Sequence, residues 1–235
     1  MTHYLGYIHR YYLRSYLYTA PVLFLFATLM IVYSDSSNHV LQSYSFGGMW
    51  VFLASLWLAY GFTNLEHPTQ QQITVLHMGS LQKYLVGKVI YAILLGLFAA
   101  ACSLLYPILL QRFAVSLTVG KMSIAFIENI SMALLGTAIG LYFTQSLIAK
   151  KRTAVLVALL TAALAVSSEQ MVRSLPLPVH VIPWLLPPVS PIVAVASQWS
   201  AFPVWQHILA LAWGFIYTAV LLLVFIRTVG TRTFK

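Results

Sequence analysis

Long apolar runs separated by short polar segments dominate the pattern along this chain. A helix needs about 20 apolar residues to cross a bilayer core of about 30 Å. Six runs approach or exceed that length, and they cover residues 17–32, 46–62, 85–110, 123–143, 153–168 and 204–226. The period-two alternation that a transmembrane barrel would need is absent from them. The pattern therefore predicts an all-α integral membrane protein with six transmembrane helices, the first of them retained rather than cleaved as a signal peptide.

The composition agrees with this class of protein. Hydrophobic residues make up 60% of the 235 positions and charged residues 7%, whereas a soluble domain carries about 25% charged residues. The net charge of +9 would suggest nucleic acid in a soluble protein, but membrane topology explains it better, and no nucleic acid is expected. With four acidic residues and one cysteine, Cys102, the chain offers neither a carboxylate cluster for multi-metal chemistry nor a disulfide framework.

The distribution of lysine and arginine predicts the orientation in the membrane. Cytoplasmic segments of membrane proteins carry the excess of basic residues. If the N-terminus is cytoplasmic, ten of the thirteen basic residues fall in cytoplasmic segments, and only Arg112, Lys121 and Arg173 fall outside. Both termini are therefore expected on the cytoplasmic side.

Residues 3–16 carry an amphipathic pattern of their own. An apolar and aromatic face holds Leu5, Ile8, Tyr12 and Tyr16, while the opposite face holds His3, Arg10 and Arg14. Such a helix lies in the headgroup layer of a membrane, and the six tyrosines before Pro21 favour that boundary. The alternative is a disordered basic flank that only obeys the inside-positive rule.

The second cytoplasmic segment contains signals for a short helix between two spans. Pro68 suits the first turn of a helix, Gly79 suits its end, and Ser80 can cap the helix that follows. The helix between Pro68 and Gly79 is polar and glutamine-rich, with an apolar ridge at Ile73 and Leu76. Because a helix of this length is marginally stable alone in water, we expect it to pack against the membrane surface or against a protein partner.

The segment 171–203 holds seven of the ten prolines together with apolar stretches. Proline at this density prevents a full crossing, while the apolar content disfavours a solvated linker. Short helices that dip into the outer leaflet, or that cover the end of the bundle, fit both facts. A plain external loop is the alternative.

Glu128 is the one acidic residue inside a predicted span. Ionisable groups at membrane depth are costly and usually face a cavity or a partner, so Glu128 is a candidate for a translocation path. The alternative is a carboxylate that is hydrated near the interface or paired with Lys121 or Arg112. On the same helix, Gly136 and Gly140 place two small residues on one face, a pattern typical of close helix packing.

The chain lacks the motifs of the common enzyme classes. Gly87 and Lys88 stand outside any complete phosphate-binding loop, because position 82 is not glycine and position 89 is neither serine nor threonine. The seven histidines are scattered without ligand spacing. We therefore expect no enzyme, no metal site and no ATP site on this chain.

The whole arrangement resembles the membrane subunits of ABC type-2 transporters, which are mostly exporters. Members have an N-terminal elbow helix, six spans with both termini inside, a cytoplasmic coupling helix between spans two and three, and re-entrant helices between spans five and six. Their coupling region runs from a glutamate through a polar helix to Gly-Lys at span three, where this chain has Glu66 and Gly87-Lys88. A second family pattern is a Leu/Ile-Pro-x-Trp-like stretch that ends in a proline before the last span, and IPWLLPPVSP at 182–191 resembles it. The chain departs from the family at 70–72, where three glutamines stand in place of the charged, leucine-rich stretch of many members.

The resemblance implies that the chain forms a translocation pathway in a bacterial cytoplasmic membrane. A separate ATPase subunit would bind ATP and Mg, and a second permease copy or a sister permease would complete the pathway. The residues implied in ATPase coupling are Glu66, Pro68, Gln72, Ile73, Leu76 and Lys88, and those of the elbow helix are Arg10, Tyr12 and Arg14. The expected cargo is an amphipathic peptide, such as an antimicrobial peptide, or a lipophilic compound, with haem as the competing cargo within the class.

Two hypotheses from other classes stay open. One is a six-span membrane scaffold and the other is an unrecognised membrane enzyme, neither of them with an ATPase partner. A channel would need a polar stripe along a span, which none of the six runs shows convincingly. Binding of an ATPase to the segment between spans two and three would discriminate among them.

Overall fold

A computed structural model describes residues 2–34, 39–114, 118–144, 147–148, 150–174, 186–199 and 201–232. Within these ranges the chain forms nine α-helices and no β-strand. They are α1 (Thr2–Arg14), α2 (Thr19–Val32), α3 (Val40–Thr63), α4 (Pro68–Met78), α5 (Leu81–Leu109), α6 (Val119–Tyr142), α7 (Lys151–Ser174), α8 (Val189–Ser197) and α9 (Val204–Arg232). The predicted all-α class is therefore confirmed.

Five helices are long and apolar enough to cross a membrane: α3, α5, α6, α9 and the Lys151–Ser168 part of α7. A sixth crossing is reached only if α1 and α2, which meet at a 75° bend, count as one span. The predicted first span is short by itself, because the 14 residues of α2 extend about 21 Å at about 1.5 Å per residue, against a core of about 30 Å. The described residues are thus compatible with a multi-pass membrane protein of five or six spans.

The backbones of α3 and α6 come very close at the centre of the bundle. A Cβ on Gly136 would overlap the backbone of Phe52, and one on Gly140 would overlap the backbone of Leu56. Glycine at both positions lets the two helices approach at backbone distance, which confirms the packing role predicted for this pair. Around this centre, α2, α5 and α8 pack on α3, and α9 packs on α6.

The short helix α4 covers Pro68–Met78, the bounds that its proline and glycine signals predict. His67 precedes it as the N-cap residue, and its Nδ1 accepts a hydrogen bond from the Thr69 amide at 3.4 Å. Gly79 ends it with φ of 65°, the left-handed conformation that favours glycine. Ser80 is the N-cap residue of α5, as predicted, and its backbone is extended as a cap requires, but its side chain makes no capping hydrogen bond.

The proline-rich segment 171–203 is described in part. Residues 171–174 complete α7, and α8 is a helix of nine residues. Val189, Ile192 and Ala196 of α8 are buried, and the helix packs against α3, α7 and α9. The described part therefore contains a buried helix too short to cross a bilayer core. Residues 175–185 and 200, with part of the 182–191 stretch, lie outside the described residues, and re-entry into the outer leaflet stays a prediction.

Candidate functional site

Glu66 and Lys88 form a buried ion pair at the α4 end of the bundle. The short loop between α3 and α4 carries Glu66, and Lys88 lies two turns into α5. Lys88 Nζ is 3.4 Å from Glu66 Oε2, and both side chains are buried. Because an unpaired charge is strongly disfavoured away from water, each side chain needs the other in order to be buried here. This is the only ion pair among the residues that the structure describes.

Tyr84 extends this pair to a cluster of three side chains. It lies one turn before Lys88 on the same face of α5. Its hydroxyl donates a hydrogen bond to Glu66 Oε2 and accepts one from Lys88 Nζ at 3.2 Å. Oε2 therefore receives two donors, while the buried Oε1 has no hydrogen-bond partner in the described part of the chain. We call Glu66, Tyr84 and Lys88 the joint, because they connect the loop before α4 to α5.

Helix α1 covers one side of the joint. The rings of Tyr4 and Tyr84 lie 5.8 Å apart between centroids, tilted by 55°. Burial, and to a smaller extent the negative charge of Glu66, raise the pKa of the Tyr4 phenol well above its ordinary value. The Tyr4 phenol therefore stays neutral at physiological pH. Helix α1 thus contributes an uncharged aromatic ring beside Tyr84 of the joint.

Two glutamines attach α4 to its surroundings. Tyr11 Oη donates a hydrogen bond to Gln70 Oε1 at 3.0 Å, and Gln70 Nε2 donates in turn to Tyr7 Oη. Gln71 Nε2 donates to the backbone carbonyl of Glu66 at 3.2 Å. The glutamine run thus joins α4 to α1 and to the loop that precedes it.

The apolar face of α1 packs against the protein itself. Ile8 and Tyr12 are each 1% exposed. The Tyr12 ring packs edge-on against Phe62 and Tyr91, with centroids 5.6 and 6.1 Å away. The alternative of a disordered basic flank is therefore wrong. The face predicted to rest in the headgroup layer is instead covered by α3 and α5.

One residue of that predicted face is misplaced. Tyr16 is 72% exposed, because α1 ends at Arg14 and Tyr16 lies in the turn before α2 with φ of 55°. Tyr4, one turn before Ile8, belongs to the buried face in its place. Arg10 and Arg14 are exposed on the other side of the helix, as predicted.

The outward face of α4 is exposed and carries the predicted apolar ridge. Ile73 is 52% exposed and Leu76 is 79% exposed; Pro68 and Gln72 are exposed as well. Val75, on the inward face, is buried in the core. One face of α4 therefore packs against the rest of the protein, and the other is exposed.

A groove of about 830 Å³ lies between α1 and α4. Tyr7, Gln70, Ile73 and Lys83 are among the side chains that line it. Ile73 belongs both to the ridge and to the wall of this groove, so the exposed ridge of α4 is continuous with the groove beside α1.

The structure brings some of the predicted site residues together and adds others. Glu66 and Lys88 meet in the joint, a contact that the sequence patterns did not predict. Tyr84, Gln70 and Gln71 were missed. The four-residue spacing between Tyr84 and Lys88, which puts both on one helical face, is a signal that could have found Tyr84.

Glu128 lies apart from the joint, near the middle of α6. It is fully buried, so hydration at the interface is the wrong interpretation. Among the described residues it forms no ion pair, so pairing with Lys121 or Arg112 is wrong as well. Ser45 Oγ donates a hydrogen bond to Glu128 Oε2 at 3.0 Å. Its role in a translocation path stays a prediction.

Comparison with known proteins identifies no relative: no family model matches the chain, and no curated protein or solved structure is significantly similar to it.

Proposed function

We propose that this chain is the membrane-spanning subunit of an ABC type-2 exporter, driven by a separate ATPase subunit. The observation that carries the proposal is the pair of opposite faces on α4. Its inward face is fixed through Val75 and the glutamine contacts, and its outward face leaves Ile73 and Leu76 exposed. A short helix built in this way can be displaced by a partner that binds its outward face, and it can transmit that displacement to the helices that hold its inward face.

The joint supplies the transmission. Glu66 stands immediately before α4, and its bonds to Tyr84 and Lys88 tie that end of α4 to the first two turns of α5. A displacement of α4 therefore displaces α5, which is apolar and long enough to span a membrane. ATP binding and hydrolysis on the partner would bias the bundle between two arrangements, with no chemical step on this chain.

The exposed ridge supports a protein partner at this place. Ile73 and Leu76 are three residues apart and so lie on one helical face. Amphipathic helices commonly insert such a ridge into an apolar groove of a partner. On the exposed face of α4 both residues stand among polar side chains such as Gln72 and His77, which favours a specific contact over a lipid-facing surface.

In this proposal the α4 end of the bundle is cytoplasmic, as the basic residues predict, and the chain resides in a bacterial cytoplasmic membrane. A second copy or a sister permease completes the pathway. An amphipathic peptide or a lipophilic compound is the proposed cargo, because the spans carry few fixed charges that would select a polar solute.

The experiment is affinity purification of the tagged full-length chain from its source cells in mild detergent, with mass spectrometry and an ATPase assay on the eluate. We expect a roughly stoichiometric ATPase subunit. The variant Ile73→Ala/Leu76→Ala should lose most of it, while the matched control Ile208→Ala/Leu209→Ala, which truncates two exposed apolar residues of α9, should retain it. A chain that elutes alone, or an ATPase that both variants retain equally, would contradict the proposal and favour a scaffold or an unrecognised enzyme.

A further inference from the structure

A second buried carboxylate lies at the contact between α3 and α6, far from the joint in sequence. Glu128 and Asn129 of α6 and Ser45 of α3 are all completely buried. They meet beside Gly48 of α3. The carboxylate oxygen Oε1 of Glu128 lies 3.8 Å, and the amide oxygen Oδ1 of Asn129 lies 4.0 Å, from the position that a Cβ on Gly48 would take.

The hydrogen bonds of these side chains leave two acceptors facing the same place. Ser45 Oγ donates to Glu128 Oε2 at 3.0 Å. Asn129 Nδ2 donates to the carbonyl oxygen of Ala125 at 2.9 Å, and since a carbonyl only accepts, this bond fixes which way the amide points. Glu128 Oε1 and Asn129 Oδ1 have no partner among the described residues.

Buried acceptors in native proteins have a hydrogen-bond donor as a partner, and both of these oxygens lie within about 4 Å of one point beside Gly48. The titratable side chain that faces Glu128 is the phenol of Tyr33, at the end of α2, and the ring of Tyr44, on α3, packs against the Tyr33 ring. From α5 this layer receives Leu104, which carries no charge. No described cation pairs with Glu128.

A proton satisfies this site better than a metal ion does. Divalent cations take about six or more oxygen ligands, and the site offers two unpartnered side-chain oxygens. An ionised carboxylate buried without a partner is strongly disfavoured. A proton on Oε1 removes the charge and supplies the missing donor at once.

We propose that Glu128 and Asn129 form an occluded proton-binding site. The proton resides on Oε1 of Glu128 at neutral pH, and this O–H donates a hydrogen bond to Oδ1 of Asn129. Ser45 holds the other carboxyl oxygen, so the neutral acid links α6 to α3. Loss of the proton places an uncompensated charge in the α3–α6 contact, where the Glu128 side chain is completely buried. The site does not depend on the proposed transport function.

Infrared spectroscopy of the purified full-length protein in lipid nanodiscs tests this proposal, because the C=O stretch of a protonated carboxylic acid is separate from the absorption of ionised carboxylates. We expect the acid band at neutral pH in the wild type. It should disappear in Glu128→Gln, persist in the control Glu169→Gln, which removes a carboxyl of α7 to which no role is assigned, and move to higher frequency in Asn129→Leu, which removes the acceptor of the O–H.

Absence of the acid band at neutral pH would overturn the proposal, as would a band that Glu128→Gln leaves in place. A band that is lost when sodium replaces potassium in the buffer would identify a metal cation as the ligand instead. Glutamine has the shape of the protonated acid and keeps a donor toward Asn129, so the variant should fold. If it does not, an unshifted band in folded Asn129→Leu overturns the proposal independently.

Discussion

Glu66 and Glu128 are both buried carboxylates, but the chain surrounds them in opposite ways. Glu66 meets the ammonium group of Lys88 and the hydroxyl of Tyr84. Glu128 accepts a hydrogen bond from the hydroxyl of Ser45 at one carboxyl oxygen, and its other oxygen has no partner among the described residues. Burial alone therefore does not define the role of an acidic residue in this protein.

The difference teaches what each site can do. A charge that is neutralised by a lysine makes a fixed connection, which suits the joint between the α4 loop and α5. A carboxyl whose neutrality depends on a proton makes a connection that can be released. The predictions below break or sharpen this contrast.

The largest effect is expected when the joint loses its acid. Glu66→Ala leaves the buried Lys88 ammonium without a counter-charge, a change that destabilises proteins by about 3–5 kcal/mol. The double variant Glu66→Ala/Lys88→Met should recover most of this loss, because an apolar pair replaces an ion pair at little cost. Denaturant unfolding in detergent measures both. A double variant as unstable as the single one would show that Lys88 is not the reason for the loss.

The contact that encloses Glu128 should tolerate bulk poorly. Gly136→Val forces two methyl groups and a Cβ against the backbone of Phe52, and overpacking of this kind costs about 1–3 kcal/mol, here at the upper end. Gly120→Ala is the matched control on the same helix, because a Cβ there has nothing within 4 Å. Equal melting temperatures for the two variants would contradict the close α3–α6 packing.

Removal of the phenol hydroxyl from the joint should have an intermediate effect. Tyr84→Phe removes the hydroxyl that donates a hydrogen bond to Glu66 and accepts one from Lys88. A hydrogen bond to a charged group contributes about 2 kcal/mol to stability, and we expect a loss of this order. Tyr7→Phe is the comparison, because Tyr7 is 41% exposed and water replaces the lost bond to Gln70. If the two variants lose the same stability, the joint contributes nothing beyond a surface contact.

A smaller effect is expected at the end of α4. Gly79→Ala places a side chain at φ of 65°, which costs about 1–2 kcal/mol. Gly6→Ala, inside α1 and with open space around its Cβ, should instead stabilise the chain by about 0.5–1 kcal/mol. Opposite signs in thermal unfolding confirm that Gly79 is needed for its backbone conformation.

The smallest effect is expected at the second carboxyl. Glu128→Gln should leave the free energy of unfolding at neutral pH nearly unchanged, because the amide has the shape of the neutral acid and keeps a donor. The same change at position 66 leaves Lys88 unpaired and should be far more damaging. Equal losses at the two positions would remove the contrast between them.

The sequence predicts best what local rules determine. Pro68 and Gly79 define both ends of α4, since proline is tolerated at a first helical turn and glycine at a left-handed end. The apolar runs predict the spans for the same reason, because length and hydropathy are local properties. The spacing of Gly136 and Gly140 also predicts a close helix contact, but it does not predict which helix makes that contact.

Contacts between distant segments could not be predicted in this way. Periodicity gives α1 an apolar face but does not distinguish protein from lipid as the surface it meets. Nor does periodicity show that the helix ends at Arg14, which is why Tyr16 was placed on the wrong side. The bond from Tyr11 to Gln70 joins residues 59 positions apart, and no local pattern encodes it.

Photocrosslinking from α4 tests the central claim most directly. A photoreactive amino acid replaces Leu76 in the full-length chain in its source cells, and the same probe at Leu209 of α9 is the control. The account predicts a crosslink from position 76 to an ATP-hydrolysing protein and none from position 209. Labelling of lipid alone at position 76, or the same protein captured from both positions, would contradict the proposal that α4 receives the ATPase.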